Sequence, residues 1–216
     1  MPAAKQLGIL GSGDVAKALG SGFAKHGYEV KLGTRDPSKL EAWKASTGAK
    51  ASVGSFAEAA AFGDVVILAT HGAATEAAID LAGTAPFAGK VVIDATNPLD
   101  FSHGMPPTLF VGTTDSLGER VQRKLPNAHV VKCFNTVSSI RMIDPKFQHA
   151  PMRMLICGND AAAKKRVEEM LREVGWAGAL DVGGIDGARW VEALVPLWVR
   201  AAQVLDTWEH AFQVVR

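Results

Sequence analysis

Short apolar runs alternate with segments of helical spacing along most of this chain. Gln6–Leu10 is apolar and ends in glycines, which predicts a buried strand. Val15–His26 repeats apolar residues at Val15, Leu19 and Phe23 and stops at Gly27, a residue suited to the position just past a helix. Tyr28–Leu32 predicts a second strand. Asp36-Pro-Ser-Lys opens another helix, with Pro37 near its first turn and Leu40 and Trp43 on one face. A short strand near Ala49–Ser52 and a helix around Phe56–Ala61 follow. Asp64–Thr70 and Lys90–Thr96 are almost continuously aliphatic, as strands covered on both faces of a parallel sheet are, with a helix over Ala74–Ala82 between them. Gly118–Leu125 reads as helix, His129–Phe134 and Arg153–Cys157 as strands. Asp160–Val174 reads as a helix with its charged residues outward. Strands and helices in this order predict an α/β fold with a doubly wound, mostly parallel sheet over residues 1–184.

Residues 185–216 differ, and the pattern predicts a C-terminal helical extension. From Asp186 to Val215 one apolar stripe runs through Val191, Leu194, Trp198, Ala201, Leu205, Trp208, Phe212 and Val215, with a break or kink expected at Pro196. A second row, Trp190, Leu197, Val204 and Ala211, recurs every seven residues. A helix packed only on its own sheet needs one stripe, so the second row marks a partner chain, a ligand cleft or a deeply buried helix.

Composition narrows the class. The chain has 216 residues, 48% hydrophobic and 21% charged, and so has enough apolar surface for a core without disulfide or metal staples. Its 23 basic and 22 acidic residues leave a net charge of +1 with no charged tail, which argues against a nucleic-acid partner. Cys133 and Cys157 fall in apolar strand-like runs and read as buried free thiols. The opening MPAAKQLGIL lacks a secretory pattern, and no apolar run approaches the ~18 residues a membrane span needs. A cytoplasmic enzyme or binding protein is expected, with no membrane partner.

Gly11-Ser-Gly13-Asp-Val-Ala16 follows the first strand and opens the first helix. Such a string is weak alone, but in a strand–turn–helix setting it predicts a Rossmann-type site for a dinucleotide. Gly11 permits the tight turn, Gly13 lets the backbone approach a diphosphate, and Ala16 allows close helix–strand packing. The helix amides then face the anion. The second strand ends Gly33-Thr34-Arg35, with no carboxylate at the position that selects NAD; Asp36 comes one step later. Arg35 can grip a 2′-phosphate, Thr34 can donate a hydroxyl, and Ser38 and Lys39 stand close behind, so the expected cofactor is NADP(H). Thr70-His71-Gly72 and Thr96-Asn97-Pro98 follow the fourth and fifth long strands and are expected to line the path toward the nicotinamide. His71 is the candidate catalytic or ligand-contacting side chain.

The segments Gly8–Ala16, Leu32–Pro37, Asp94–Pro98 and Val131–Val137, with Asp181-Val-Gly-Gly and Ala188–Pro196 further on, resemble the NADP oxidoreductases dependent on the deazaflavin coenzyme F420. The same module occurs as the reductase domain of six-transmembrane metalloreductases, to which Lys132-Cys-Phe-Asn-Thr136 is similar. The resemblance implies hydride transfer between NADPH and a deazaflavin or flavin-like ring stacked on the nicotinamide. It places Thr34, Arg35 and Lys39 on the 2′-phosphate and Ser12, Gly13, Asp14 and Val15 along the diphosphate. Asn97, Pro98, Asn135, Thr136 and Val137 then face the nicotinamide and acceptor. Two departures stand out: Ala16 replaces the commoner glycine, and His71-Gly72 occupies a place where the deazaflavin enzymes tend to be bulkier and less polar.

Other chemistries lack their residues. No serine-nucleophile elbow, metal-ligand cluster or phosphate loop of the GxxxxGK type is present. The lysine and asparagine that related β-hydroxyacid dehydrogenases supply are absent from Asp186–Glu192, and a GSGPA-type run as in pyrroline carboxylate reductases is missing. His103, His129 and His149 are scattered. The expected function is an NADPH-dependent oxidoreductase passing hydride to a small-molecule acceptor of the flavin or deazaflavin type. Two others stay open: an NADPH reductase of a small carbonyl or imine using His71 or Arg189, and a noncatalytic NADP sensor. A homodimer through the C-terminal helix is expected.

Overall fold

The computed structural model describes residues 5–147 and 151–214, so His149 and Val215 lie outside the described residues. Eight strands form one sheet: β1 (Gln6–Leu10), β2 (Glu29–Gly33), β3 (Ala51–Gly54), β4 (Val65–Leu68), β5 (Val91–Asp94), β8 (His129–Lys132), β9 (Met154–Gly158) and β10 (Ala179–Asp181). Their spatial order is β10-β9-β8-β5-β4-β1-β2-β3. The pairings from β3 across to β8 are parallel. β9 runs antiparallel to β8, with Lys132 opposite Cys157, and β10 is parallel to β9. β6 (Leu99–Asp100) and β7 (Thr108–Leu109) pair as a separate antiparallel ribbon. That ribbon and β10 carry no apolar run long enough to predict them.

Alternation along the central strands explains why both sheet faces are covered. Leu7, Ile9, Val65 and Ile67 face one apolar cluster; Leu10, Val66, Leu68 and Val92 face the other. Residues of α1 (Asp14–Lys25), α2 (Glu41–Thr47) and α6 (Ala161–Glu173) fill the first cluster. Those of α3 (Phe56–Phe62), α4 (Thr75–Ala82) and α5 (Leu117–Lys124) fill the second. Each fully buried aliphatic side chain contributes about 1.5–3 kcal/mol, so such strands pin the register of the whole sheet. Cys133 and Cys157 are buried free thiols, and burial pushes the Cys157 thiol up to about 12.

The C-terminal helix α7 (Ala188–Leu205) is shorter than its apolar pattern predicts. It runs through Pro196 without a break and ends where Asp206 adopts left-handed backbone, φ 51°. The chain then folds back: His210 stacks on Trp198 at 4.8 Å, and the Trp198 indole donates to the His210 carbonyl at 3.1 Å. The buried row is Ala188, Val191, Glu192, Val195, Trp198, Val199 and Ala202, so Leu194, Ala201 and Leu205 are displaced from the expected stripe. Trp190, Leu197 and Val204 form an exposed row at 64%, 56% and 71% accessibility. No helix among the described residues is long and apolar enough to cross a membrane.

One surface pair gives a pH-dependent contribution to stability. Arg123 holds Asp115 through two bonds of 3.0 and 2.8 Å, and this lowers the Asp115 carboxyl to about 2. Because the folded pKa lies below the unfolded one, the stabilisation is present above about pH 4 and is lost as pH falls through about 2. The pair is partly solvated, so Asp115→Asn is expected to cost only about 1 kcal/mol at neutral pH. Urea titrations of both proteins should show that gap closing between about pH 4 and pH 2.

Candidate functional site

β1 and β4 are adjacent in space although β2 and β3 separate them in the chain. Successive connections from β1 run toward one sheet edge, and those from β4 toward the other, so the loops beyond β1 and β4 part and leave a crevice. A cavity of about 310 Å³ opens there. Its floor is the turn Gly11-Ser12-Gly13, one wall is Thr34, Arg35, Asp36 and Lys39 beyond β2, and Ala69, Thr70 and His71 beyond β4 form the other. Gly11 has φ +147°, and a Cβ there would stand 2.3 Å from the Ala69 carbonyl oxygen; only glycine brings the two loops this close.

α1 starts without the side-chain cap that α3, α5 and α6 carry. Ser55, Ser116 and Asp160 each accept a bond from an amide of the helix they begin. At α1 the N-cap is Gly13, which lines the cavity and has no side-chain acceptor, so the first-turn amides have no capping partner among the described residues.

Arg35 is exposed at the rim and has no hydrogen-bond or ion-pair partner among the described residues. Thr34 is buried, its hydroxyl 3.2 Å from the Asp36 amide, from which it accepts. The Asp36 carboxylate accepts from the Ser38 amide at 3.2 Å and the Ser38 hydroxyl at 2.6 Å, which holds it below its ordinary range. Lys39 stands 3.8 Å from Asp36. Asp36 therefore acts as the acceptor at a helical turn, and the Ser38 hydroxyl hydrogen is committed to it; Ser38 does not line the cavity.

The other expected site residues lie outside the cavity wall. Asp14 and Val15 begin α1 beside it, with Asp14 exposed and Val15 half-buried. Asn97, Pro98 and Asn135 form a layer beyond the His71 loop, and Thr136, next in the chain, is buried. The Asn97 amide donates to the Asn135 carbonyl at 2.9 Å, and the Asn135 amide donates back to Asn97 Oδ1 at 3.1 Å and to the Val191 carbonyl at 3.1 Å. Val137 is buried in the core. His71 is exposed, its ring centroid 6.3 Å from that of Phe101 in the loop between β6 and β7. Six lining residues went unread in the sequence: Phe56 at the start of α3, Ala69 just past β4, Ala74 immediately before α4, and Ala77, Ala78 and Leu81 along α4. The signal available was the helical spacing of small residues on α4, uninformative until α4 is known to face the crevice.

Gly72 locks the two layers together. A Cβ on it would lie 1.9 Å from the Asn97 carbonyl oxygen, a contact between backbones that no rotamer relieves. The small residue after His71 is thus a packing requirement. Gly72→Ala is expected to destabilise the protein by about 1–3 kcal/mol, a loss of several degrees in Tm. A melting curve superimposable on the wild type would refute this contact.

Three observations fit a phosphorylated dinucleotide: uncapped amides at α1, unpartnered Arg35, and a Gly13 whose missing side chain leaves more than 4 Å of free space. Comparison with known proteins points the same way. Residues 6–98 match the family model described as NADP oxidoreductase coenzyme F420-dependent. The F420-dependent NADP reductase of Methanothermobacter marburgensis is 30% identical over 199 residues, 88% of each chain.

The chain belongs to the F420-dependent NADP reductase family. A crystal structure of a candidate F420-dependent NADP-reductase from Arthrobacter sp. FB24 superposes with TM-score 0.93 at 40% identity, covering 99% of this chain and 100% of that one. Metalloreductase STEAP3 of Rattus norvegicus is 31% identical over 203 residues, 90% of this chain. This chain spans only 38% of that metalloreductase, and 63% of the F420-dependent NADP reductase of Methanocaldococcus jannaschii. A reductive aminase of Aspergillus terreus shares the fold at TM-score 0.67 and 19% identity.

Proposed function

We propose that this F420-dependent NADP reductase family member is an NADPH-dependent oxidoreductase that passes hydride to a deazaflavin such as F420 or to a flavin-like ring. Arg35, Lys39 and Thr34 hold the 2′-phosphate. Ser12, Gly13 and the amides of Asp14 and Val15 meet the diphosphate, and Thr70, His71, Thr136 and the layer formed by Asn97, Pro98 and Asn135 shape the nicotinamide end. When bound, the nucleotide supplies the hydride; the chain supplies binding, orientation and exclusion of water.

The observation that carries the choice of acceptor is the scarcity of proton donors at that end. Carbonyl reduction needs a positioned acid, commonly lysine, tyrosine or histidine. The chain's one tyrosine, Tyr28, donates to Glu173 at 2.6 Å in the core, and Lys132 is fully buried in ion pairs. Arg189 is bound to Glu119 through bonds of 2.8 and 2.6 Å. A ring acceptor takes hydride at a ring atom and its proton from water, so it needs none of them. His71 remains the donor for the competing carbonyl or imine reading.

Loss of NADPH absorbance with F420, with free flavins and with a carbonyl and imine panel separates these readings. Turnover with F420 or flavin, retained in His71→Gln, is the expected result; turnover on carbonyls alone, lost in His71→Gln, would overturn it. NADPH binding with no turnover on any acceptor would make the protein a sensor. The exposed row Trp190, Leu197 and Val204 further supports a homodimer through α7, and sedimentation as a monomer at working concentration would contradict that.

A further inference from the structure

Beneath the nicotinamide end lies a buried ionic cluster that the proposed chemistry does not use. Lys132 and Asp94, at the ends of the paired strands β8 and β5, are 0% exposed, and Glu192 of α7 is 1% exposed. The Lys132 ammonium donates to Asp94 Oδ2 at 2.9 Å, to Glu192 Oε1 at 2.7 Å and to the Thr96 carbonyl at 2.6 Å, so all three of its hydrogens are spent. Asp94 Oδ1 accepts from the Thr96 amide at 2.9 Å and hydroxyl at 2.6 Å. Glu192 also accepts from the Leu117 and Gly118 amides at the start of α5, each at 2.9 Å. Burial alone lowers the Lys132 pKa; the two carboxylates more than reverse this and keep the ammonium charged.

Apolar side chains of similar volume commonly stabilise a fold as well as buried ions do, so one cation shared by two carboxylates is a costly way merely to fill space. Its distinctive product is geometry. Thr96 immediately precedes Asn97, whose amide is bound to Asn135, and Asn135 is bound to Val191, the neighbour of Glu192 on α7. We propose that Lys132 is a positioning residue that ties the loop beyond β5 to α7 and thereby fixes where the nicotinamide ring rests. The inference depends on the NADPH reading above.

Its test compares two probes by calorimetry: adenosine 2′,5′-bisphosphate, which lacks the nicotinamide, and NADPH. The wild type is expected to bind NADPH more tightly. Lys132→Met should bind the bisphosphate as the wild type does but lose about tenfold or more of its affinity for NADPH, as expected of a misplaced binding wall. Thr96→Val, a milder change that keeps the ion pairs, should lose less in the same direction; it carries the test alone if Lys132→Met does not fold. A variant with lower Tm but an unchanged ratio of the two affinities assigns the cluster a structural role only and overturns the proposal. So does a wild type that binds both probes equally. A wild type that binds neither overturns the NADPH reading itself, and this inference with it.

Discussion

Replacing Arg35 with alanine is expected to raise the Kd for NADPH by about 10–150-fold, the worth of one to two charge-assisted bonds, while leaving NADH binding almost unchanged. The side chain stands at the rim beside Thr34 without a partner among the described residues, so its removal breaks nothing in the empty protein. Stability should therefore hold within about 0.5 kcal/mol. Lys39 cannot substitute fully: it presents a point charge in place of a planar fork, and Asp36 stands 3.8 Å from it. Paired titrations of NADPH and NADH against the variant check this, and an undiminished preference for NADPH would move the phosphate elsewhere.

Gly13→Val is expected to weaken NADPH binding by about 2–3 kcal/mol, or roughly 30–150-fold, with little effect on the empty fold. Gly13 has φ −82°, open to any residue, and a Cβ added there meets nothing within 4 Å. The folded protein pays only for exchanging a tolerated N-cap residue for a poor one, at most about 1 kcal/mol. The added methyl groups instead enter the space before the α1 amides where a diphosphate would lie. Unimpaired NADPH binding in a folded Gly13→Val protein would show that the anion does not sit there.

The parts of this molecule legible in the sequence are those set by local pattern. Runs such as Val65–Leu68 must be buried on both faces, and the turn Gly11–Gly13 between strand and helix is written in three residues. The parts that stayed hidden depend on what the fold brings near. Phe56, Ala77 and Leu81 reach the cleft only because α3 and α4 pack beside the β1–β4 crevice. Apolar residues continue past Leu205 to Phe212, so periodicity extends the helix; Asp206 turns left-handed, and Trp208 and His210 pack back onto Trp198. Lys132 falls in the apolar run His129–Phe134 and Glu192 in the C-terminal helical segment, and neither pattern links one to the other. Their pairing across 60 residues of sequence becomes visible only in three dimensions.

Everything functional rests on recognition of a 2′-phosphorylated pyridine nucleotide in the crevice between β1 and β4. The direct measurement is calorimetric titration of the wild-type protein with NADPH and, separately, NADH. One site per chain with NADPH at least about tenfold tighter is the expected result, the minimum for one charge-assisted bond to the extra phosphate. Equal affinities, or no heat with either nucleotide from protein that melts cooperatively, would contradict it.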